Sequence, residues 1–384
     1  MKMAASRVFS GGRLRLARLF AGLSQKELGE FAGVTHASVS QAENCVKQPS
    51  SHAVEAFATA VGCLPKFFYR PEMQELREDE CHFRHRKTTP VSAKTRVLST
   101  GSIFCELAAV IGSTVLLPPY EVPCIRVTDL ESIEKAAEHC RMAWGLGLDV
   151  PISSIIRALE SRAGVVIGRF SAETPKVDAF SWAKTRGMIV LNTDNTSTSR
   201  LRFDCAHECG HLVMHAGLHP EDTDLETQAD RFASAFLMPR AGFVREVPRF
   251  GSGRVRLEDL IPMKRRWRTS IAAIVRRSYD LRLIDAVQYQ GAMKQYYARH
   301  WHKGEPEEPD AEHPETLKLA FNVMAEHYGQ DYSAIATDLG WLPETLSRVV
   351  PDVAAVALRK DVKQPQPTAP VITLAQYRHA RGLG

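Results

Sequence analysis

Residues Arg202 to His215 read RFDCAHECGHLVMH and contain the pattern H-E-x-x-H at His207, Glu208, Cys209, Gly210 and His211. The pattern is useful only on one kind of backbone. Residues four apart project from the same face of an α-helix, about one turn from each other. His207 and His211 can therefore share one metal ion if the segment is helical. Glu208, beside the first imidazole, can then reach a metal-bound water as general base. The flanking residues agree with a helix. Phe203, Ala206, Gly210, Val213 and Met214 form its apolar side. A β-like run, Gly187 to Asn192, precedes it, and a second helical segment, Glu226 to Met238, follows.

Catalytic zinc ordinarily takes three protein ligands and leaves the fourth position to water. The second segment, ETQADRFASAFLMP, offers Glu226 and Asp230 on one face and Phe232, Ala233, Phe236 and Leu237 on the other, and Pro239 ends it. Glu226 is the expected third metal ligand. Asp230 is expected to accept a hydrogen bond from a ligating imidazole and fix its tautomer. The same ligand set accepts manganese or iron as well as zinc. His215 lies one turn further along the first helix, and His219 misses the spacing of a third histidine ligand by two positions. Both are read as supporting or surface histidines.

The net charge of +5 is unevenly placed. Residues 1–70 hold nine Lys/Arg against four Asp/Glu, and the other residues sum to zero. Basic charge gathered at one end suggests a domain that faces nucleic acid. There is no apolar run near eighteen residues and no signal-peptide pattern, so no membrane span is expected. The eight cysteines (45, 63, 81, 105, 124, 140, 205 and 209) lack C-x-x-C spacing and read as reduced thiols of the cytoplasm. Cys205 and Cys209 bracket His207 and are read as small packing residues.

A length of 384 residues predicts several units. Residues 9–70 read as short helices. Ser24 and Glu27 form a capping box, Gly33-Val34-Thr35 is a tight turn, and Pro49-Ser50 opens a further helix. Residues 71–128 read as a helical connector, with a basic stretch from Arg84 to Lys87. Residues 129–250 carry the H-E-x-x-H helix behind three strand-like runs, 165–170, 177–183 and 187–192. These runs are expected to form a small antiparallel sheet with 177–183 at its edge, where a peptide could add as a further strand. Residues 251–302 repeat a helix-turn-helix-like pattern and are basic at Lys264, Arg265, Arg266, Arg268, Arg276 and Arg277, which suits either DNA contact or packing. Residues 303–314 read as an acidic, Pro-rich linker, 315–363 as helical, and 364–384 as a disordered tail. The expected fold class is mainly α with a small antiparallel sheet (α+β), opening on an all-α domain.

Two resemblances sharpen this reading. HECGH followed by E-x-x-A-D-x-F-A-x-x-F-L-M-P, with the opening segment Trp144 to Ile167, resembles the ImmA/IrrE family of bacterial metallopeptidases from about residue 129 to 240. The resemblance implies a gluzincin-like site: His207, His211 and Glu226 on one zinc ion, with Glu208 as base. Cys209 departs from the bulkier apolar residue usual there. The signatures S-Q-x-E-L, A-G-V-x, S-x-x-E and P-S resemble Cro/C1-type (XRE) helix-turn-helix domains over about 55 residues. That resemblance sends the helix from Thr35 to Asn44 into the major groove. Thr35, His36, Ser38 and Gln41 would reach base edges or phosphates, and Gln25, Lys47 and Arg13 would contact phosphates. Cys45 departs from the glycine usual after that helix.

Together the resemblances imply a cytoplasmic, bacterial or prophage-encoded regulator. It would bind a double-stranded operator as a homodimer, and its zinc endopeptidase domain would cleave a repressor or other helix-turn-helix protein. The alternative is a non-proteolytic transcriptional regulator, or an antitoxin bound by a neighbouring toxin, in which the zinc domain is a sensor or scaffold.

Overall fold

The computed structural model describes residues 8–73, 75–85, 91–170, 177–192, 197–218, 224–251 and 253–357. The expected tail 364–384, His219, and Arg86 and Lys87 of the basic stretch lie outside the described residues.

The chain opens with four helices: α1 (Gly11–Ala21), α2 (Gln25–Ala32), α3 (His36–Glu43) and α4 (Ser51–Val61). Each begins on a hydroxyl residue, Ser10, Ser24, Thr35 or Ser50, whose side chain accepts an amide of the first turn. Ser24 and Glu27 form the expected capping box. The turn between α2 and α3 needs a left-handed residue, which Gly33 supplies at φ 65°. Cys45 adopts φ 56° just after α3, at the position where a glycine is usual. A buried pair, Arg18 Nε to Glu43 Oε1 at 2.5 Å, ties α1 to α3.

The connector is more than a spacer. Its strand β1 (His82–His85) joins the sheet formed by β2 (Val166–Phe170), β3 (Val177–Ala183) and β4 (Gly187–Asn192), in the order β1-β3-β4-β2. The α+β class stands, but the sheet is mixed: β2 and β4 run parallel, while β3 is antiparallel to both β4 and β1. A parallel pair needs a crossover, and here β3 and its turn make the excursion. The expected edge strand, 177–183, is covered by β1, so β1 and β2 are the edges.

The sheet is buried on both faces, and residue alternation divides it between two cores. Val166, Phe170, Phe180, Trp182, Met188 and Val190 belong to one core. Val165, Ile167, Ala179, Ile189 and Leu191 belong to the other. The first face is covered by α5 (Val91–Gly112). This helix is long and apolar enough to cross a membrane by length and composition. Its Val97, Ile103, Phe104, Leu107 and Ile111 are instead packed in the core. Next come α6 (Leu130–Ala143) and α7 (Ile155–Arg162), and after the strands α8 (Thr198–Met214), α9 (Leu225–Leu237) and α10 (Arg240–Glu246). Helix α8 lies on the second face.

Three helices follow: α11 (Ile261–Trp267), α12 (Ile271–Asp280) and α13 (Ala286–Ala298). Their basic residues are bonded within the chain, and two of them are buried. Lys264 is fully buried between Glu305 and Glu308, Arg277 pairs with buried Glu134, and Arg265, Arg266 and Arg276 pair with Glu307, Glu246 and Asp280. Arg268 donates to the Ser153 carbonyl at 2.7 Å.

The stretch 303–314, expected to be a linker, is a packed strap whose acids cap helices. Glu305 accepts the amides of Ile271 and Ala272 at the start of α12. Glu308 accepts Ser199 N at 2.9 Å at the start of α8, and Glu312 accepts Ile156 N at 3.1 Å at the start of α7. Carboxylates belong there, because the first-turn amides have no intrahelical acceptor and the helix dipole favours negative charge. Glu312 also pairs with Arg202 of α8, which is fully buried.

The last described residues form α14 (Thr316–Tyr328), α15 (Tyr332–Leu339), α16 (Pro343–Leu346) and α17 (Pro351–Ala357). These helices return to the N-terminal domain. Trp341 packs against Phe20 and Phe67, with ring centroids 5.5 and 4.4 Å away, and Leu64 N donates to Gly340 O at 2.8 Å. One core therefore runs from the opening helices through α5 and the C-terminal helices to the back of the sheet.

Candidate metal centre and nucleic-acid interface

Helices α8 and α9 pack so closely that a side chain at Gly210 would intrude. A Cβ built there lies 3.0–3.2 Å from Phe232. Glycine at this position lets α9 approach near enough for its first turn to face the histidines of α8. His207 and His211 are each 1% exposed, whereas the Glu226 side chain is 53% exposed. The acid thus closes the site from the solvent side.

His207 Nε2, His211 Nε2 and the Glu226 carboxylate converge. The nitrogens are 3.0 Å apart, Glu226 Oε2 is 3.4 Å from His207 Nε2, and Glu226 Oε1 is 3.2 Å from His211 Nε2. Ligands held about 2.0–2.1 Å from a tetrahedral ion are about 3.3 Å apart. The three separations match that spacing, so this donor set fits a small divalent cation.

The remaining ring nitrogens fix which atoms face the centre. His207 Nδ1 lies 2.8 Å from Asp230 Oδ1, and a carboxylate can only accept, so Nδ1 carries the proton and Nε2 presents its lone pair. His211 Nδ1 lies 2.9 Å from His215 Nδ1, and His215 Nε2 lies 2.9 Å from Gln228 Oε1. The amide oxygen accepts from His215 Nε2–H, which leaves His215 Nδ1 as acceptor for His211 Nδ1–H. Both rings thus direct an unprotonated Nε2 to the same point. His215 is fully buried, and burial lowers its pKa, which favours the neutral form this chain of bonds requires.

Glu208 is fully buried and turned toward β3, where Ser181 Oγ donates to its Oε2 at 2.5 Å. The sequence reading missed Ser181 and Gln228. Ser181 was visible as a polar residue between Phe180 and Trp182 in a strand otherwise buried. Gln228 carried no signal, because a glutamine beside two acids reads as surface. Cys205 and Cys209 are buried, and burial pushes both thiols well above their usual pKa.

The expected DNA-contacting residues lie far from this centre in sequence, on and beside α1, α2 and α3. Thr35, His36, Ser38, Gln41 and Lys47 are exposed. Thr35 Oγ1 also accepts Ser38 N at 3.1 Å, so it caps α3 while facing outward. Gln25 is half-buried, and its amide donates to Glu43 Oε2 at 2.7 Å, which commits part of the group expected on a phosphate. Arg13, also expected on a phosphate, is buried 3% exposed and donates to Pro71 O and Glu106. It belongs to the joint between α1 and α5.

No curated protein matches the chain. Residues 11–66 match the family model described as a helix-turn-helix domain, and residues 160–279 match the peptidase M78 model described as an IrrE N-terminal-like domain, so this chain joins a helix-turn-helix DNA-binding domain to an M78 peptidase-like domain.

Proposed function

We propose that this protein is a cytoplasmic DNA-binding regulator whose second domain is a zinc-dependent endopeptidase acting on a repressor or another helix-turn-helix protein. The observation that carries the reading is the triangle of His207 Nε2, His211 Nε2 and the Glu226 carboxylate, with Glu208 on the same helix. His207, His211 and Glu226 hold the ion, and Asp230 and His215 orient the two rings. Zinc, when bound, supplies Lewis acidity to the scissile carbonyl and the attacking water. Glu208 accepts the proton of that water and passes it to the leaving amine. Ser181 holds one oxygen of the Glu208 carboxylate and so fixes its rotamer for that transfer. The domain matches support this reading at the level of a peptidase-like domain.

On the DNA side, the helix α3 enters the major groove of a double-stranded operator, with Thr35, His36, Ser38 and Gln41 at the bases and Lys47 at a phosphate. Two copies of the chain read two half-sites as a homodimer.

The experiment is co-incubation of the zinc-loaded chain with helix-turn-helix repressors from its own genome, read by mass spectrometry of fragments. The expected result is one cleaved repressor and loss of cleavage in Glu208→Gln with zinc retained. Cleavage by Glu208→Gln at the wild-type rate removes the catalytic reading. A second reading, a regulator whose zinc domain senses or scaffolds without cutting, is favoured by one observation: β1 covers the strand beside Glu208.

A further inference from the structure

The matched peptidase-like residues, 160–279, supply three strands in the order β3-β4-β2. Taken alone they would leave β3 as an open edge. In this chain the edge is filled by β1, which comes from the connector, outside the matched residues. It runs antiparallel to β3, with His82 opposite Ser181, Phe83 opposite Phe180 and Arg84 opposite Ala179. Strand β3 is also the one that reaches the site, because Ser181 Oγ holds Glu208. The first pair of the β1 ladder is therefore formed by the residue that touches the proposed base.

An extended peptide gains most of its hold on a sheet by adding as a strand to an edge, through main-chain hydrogen bonds. A peptide adding to β3 would pass Ser181 and Glu208. We propose that β1 occupies, within the same chain, the track on which the domain takes an extended segment of a protein substrate, so that the resting chain blocks itself and a substrate strand enters by displacing β1. This inference rests on the peptidase reading above.

The construction of β1 suits a removable occupant. It has four residues, its register shifts between Arg84 and His85, and it has a partner strand on one side only. Short, irregular edge strands are the least firmly held members of a sheet. Its neighbours in the chain do not depend on it. On one side Cys81 is buried and Leu76 N donates to Ser102 Oγ at 2.9 Å. On the other, α5 is anchored in the core by Phe104, Leu107 and Ile111. The strand can leave β3 while both anchors stay.

The test uses the full chain, freed of metal by a chelator, so that binding is read without cleavage. In the double variant Phe83→Pro, Arg84→Pro, one of the two prolines must remove an N–H directed at β3, because adjacent residues of a strand point theirs to opposite sides. Hydrogen exchange should rise at least tenfold at those amides of residues 178–182 that face β1, and stay unchanged at those that face β4 and in β4 itself. The probe is a fluorescein-labelled synthetic peptide copying residues 80–87. The variant should bind it at least tenfold more tightly than the wild type does. Equal binding by both, or no binding by a variant with β3 exposed and β4 protected, overturns the proposal. If the variant loses β4 protection as well, exchange in the wild type under graded urea decides. Opening of β3 separately from β4 supports a removable β1, and exchange of both only through global unfolding overturns it. A failed Glu208→Gln test leaves these outcomes readable, and failure here leaves that test intact.

Discussion

Removing the two groups that orient the histidines should weaken metal binding by unequal amounts, and the inequality is set by burial. Loss of an outer hydrogen-bond partner typically costs about 10- to 100-fold in metal affinity, or about 1.4–2.7 kcal/mol. Asp230 holds His207 Nδ1 at 2.8 Å, but its side chain is 52% exposed. In Asp230→Ala, water can take the acceptor position, so the loss should fall near the lower end, about tenfold. His215 is fully buried and sits between His211 Nδ1 and Gln228 Oε1. In His215→Leu neither partner regains an acceptor or donor from solvent, so the loss should approach about 100-fold. Zinc affinity is measured by competition against a chromophoric chelator at pH 7.5, with urea unfolding run beside it to separate weak binding from a damaged fold. Equal losses in the two variants would refute the argument from burial. An affinity within threefold of wild type in His215→Leu would refute the hydrogen-bond chain itself.

Glu312→Ala strands the fully buried Arg202 without its carboxylate, and removal of one partner of a buried pair costs about 3–5 kcal/mol; the urea midpoint should fall accordingly, with unchanged slope. The Glu308 carboxyl is pushed up by burial but pulled further down by hydrogen bonds from Lys264 and Ser199, so its folded pKa lies below the ordinary 4.5. Its contribution to stability is complete above 4.5 and is lost as pH falls through the lower folded value. Acid unfolding of Glu308→Gln should therefore be less steep with pH than that of the wild type. Cys45→Gly relieves a left-handed residue worth about 1–2 kcal/mol, against about 0.4–1 kcal/mol of added chain entropy, so the melting temperature should rise slightly.

The readable parts of this chain were those whose signal is local. H-E-x-x-H, the acid pair at 226 and 230, and the capping box at Ser24 and Glu27 each reside in a few consecutive residues whose spacing matches one helical turn. The strands at 166–170, 177–183 and 187–192 were legible from β-branched runs between turns. What failed was long-range. Strand β1, H-F-R-H, has no alternation of apolar and polar residues to mark it, and its partner lies about a hundred residues on. Glu305, Glu308 and Glu312 look like a solvated linker, because a carboxylate that caps a distant helix has the same sequence as one in water. The six basic residues from Lys264 to Arg277 suited DNA contact and packing equally in the sequence for the same reason: their partners, among them Glu134, Glu246 and Glu308, are remote in the chain.

Trp341 has a consequence for anyone dividing this protein into pieces. Its indole covers Phe20 and Phe67, which belong to the opening domain, from about three hundred residues away. A fragment that stops after residue 70 would present those two rings to water and should be prone to self-association. Adding back residues 315–357 as a separate polypeptide would be the natural remedy. Excision at the sequence boundaries would thus report on a damaged surface rather than on operator binding.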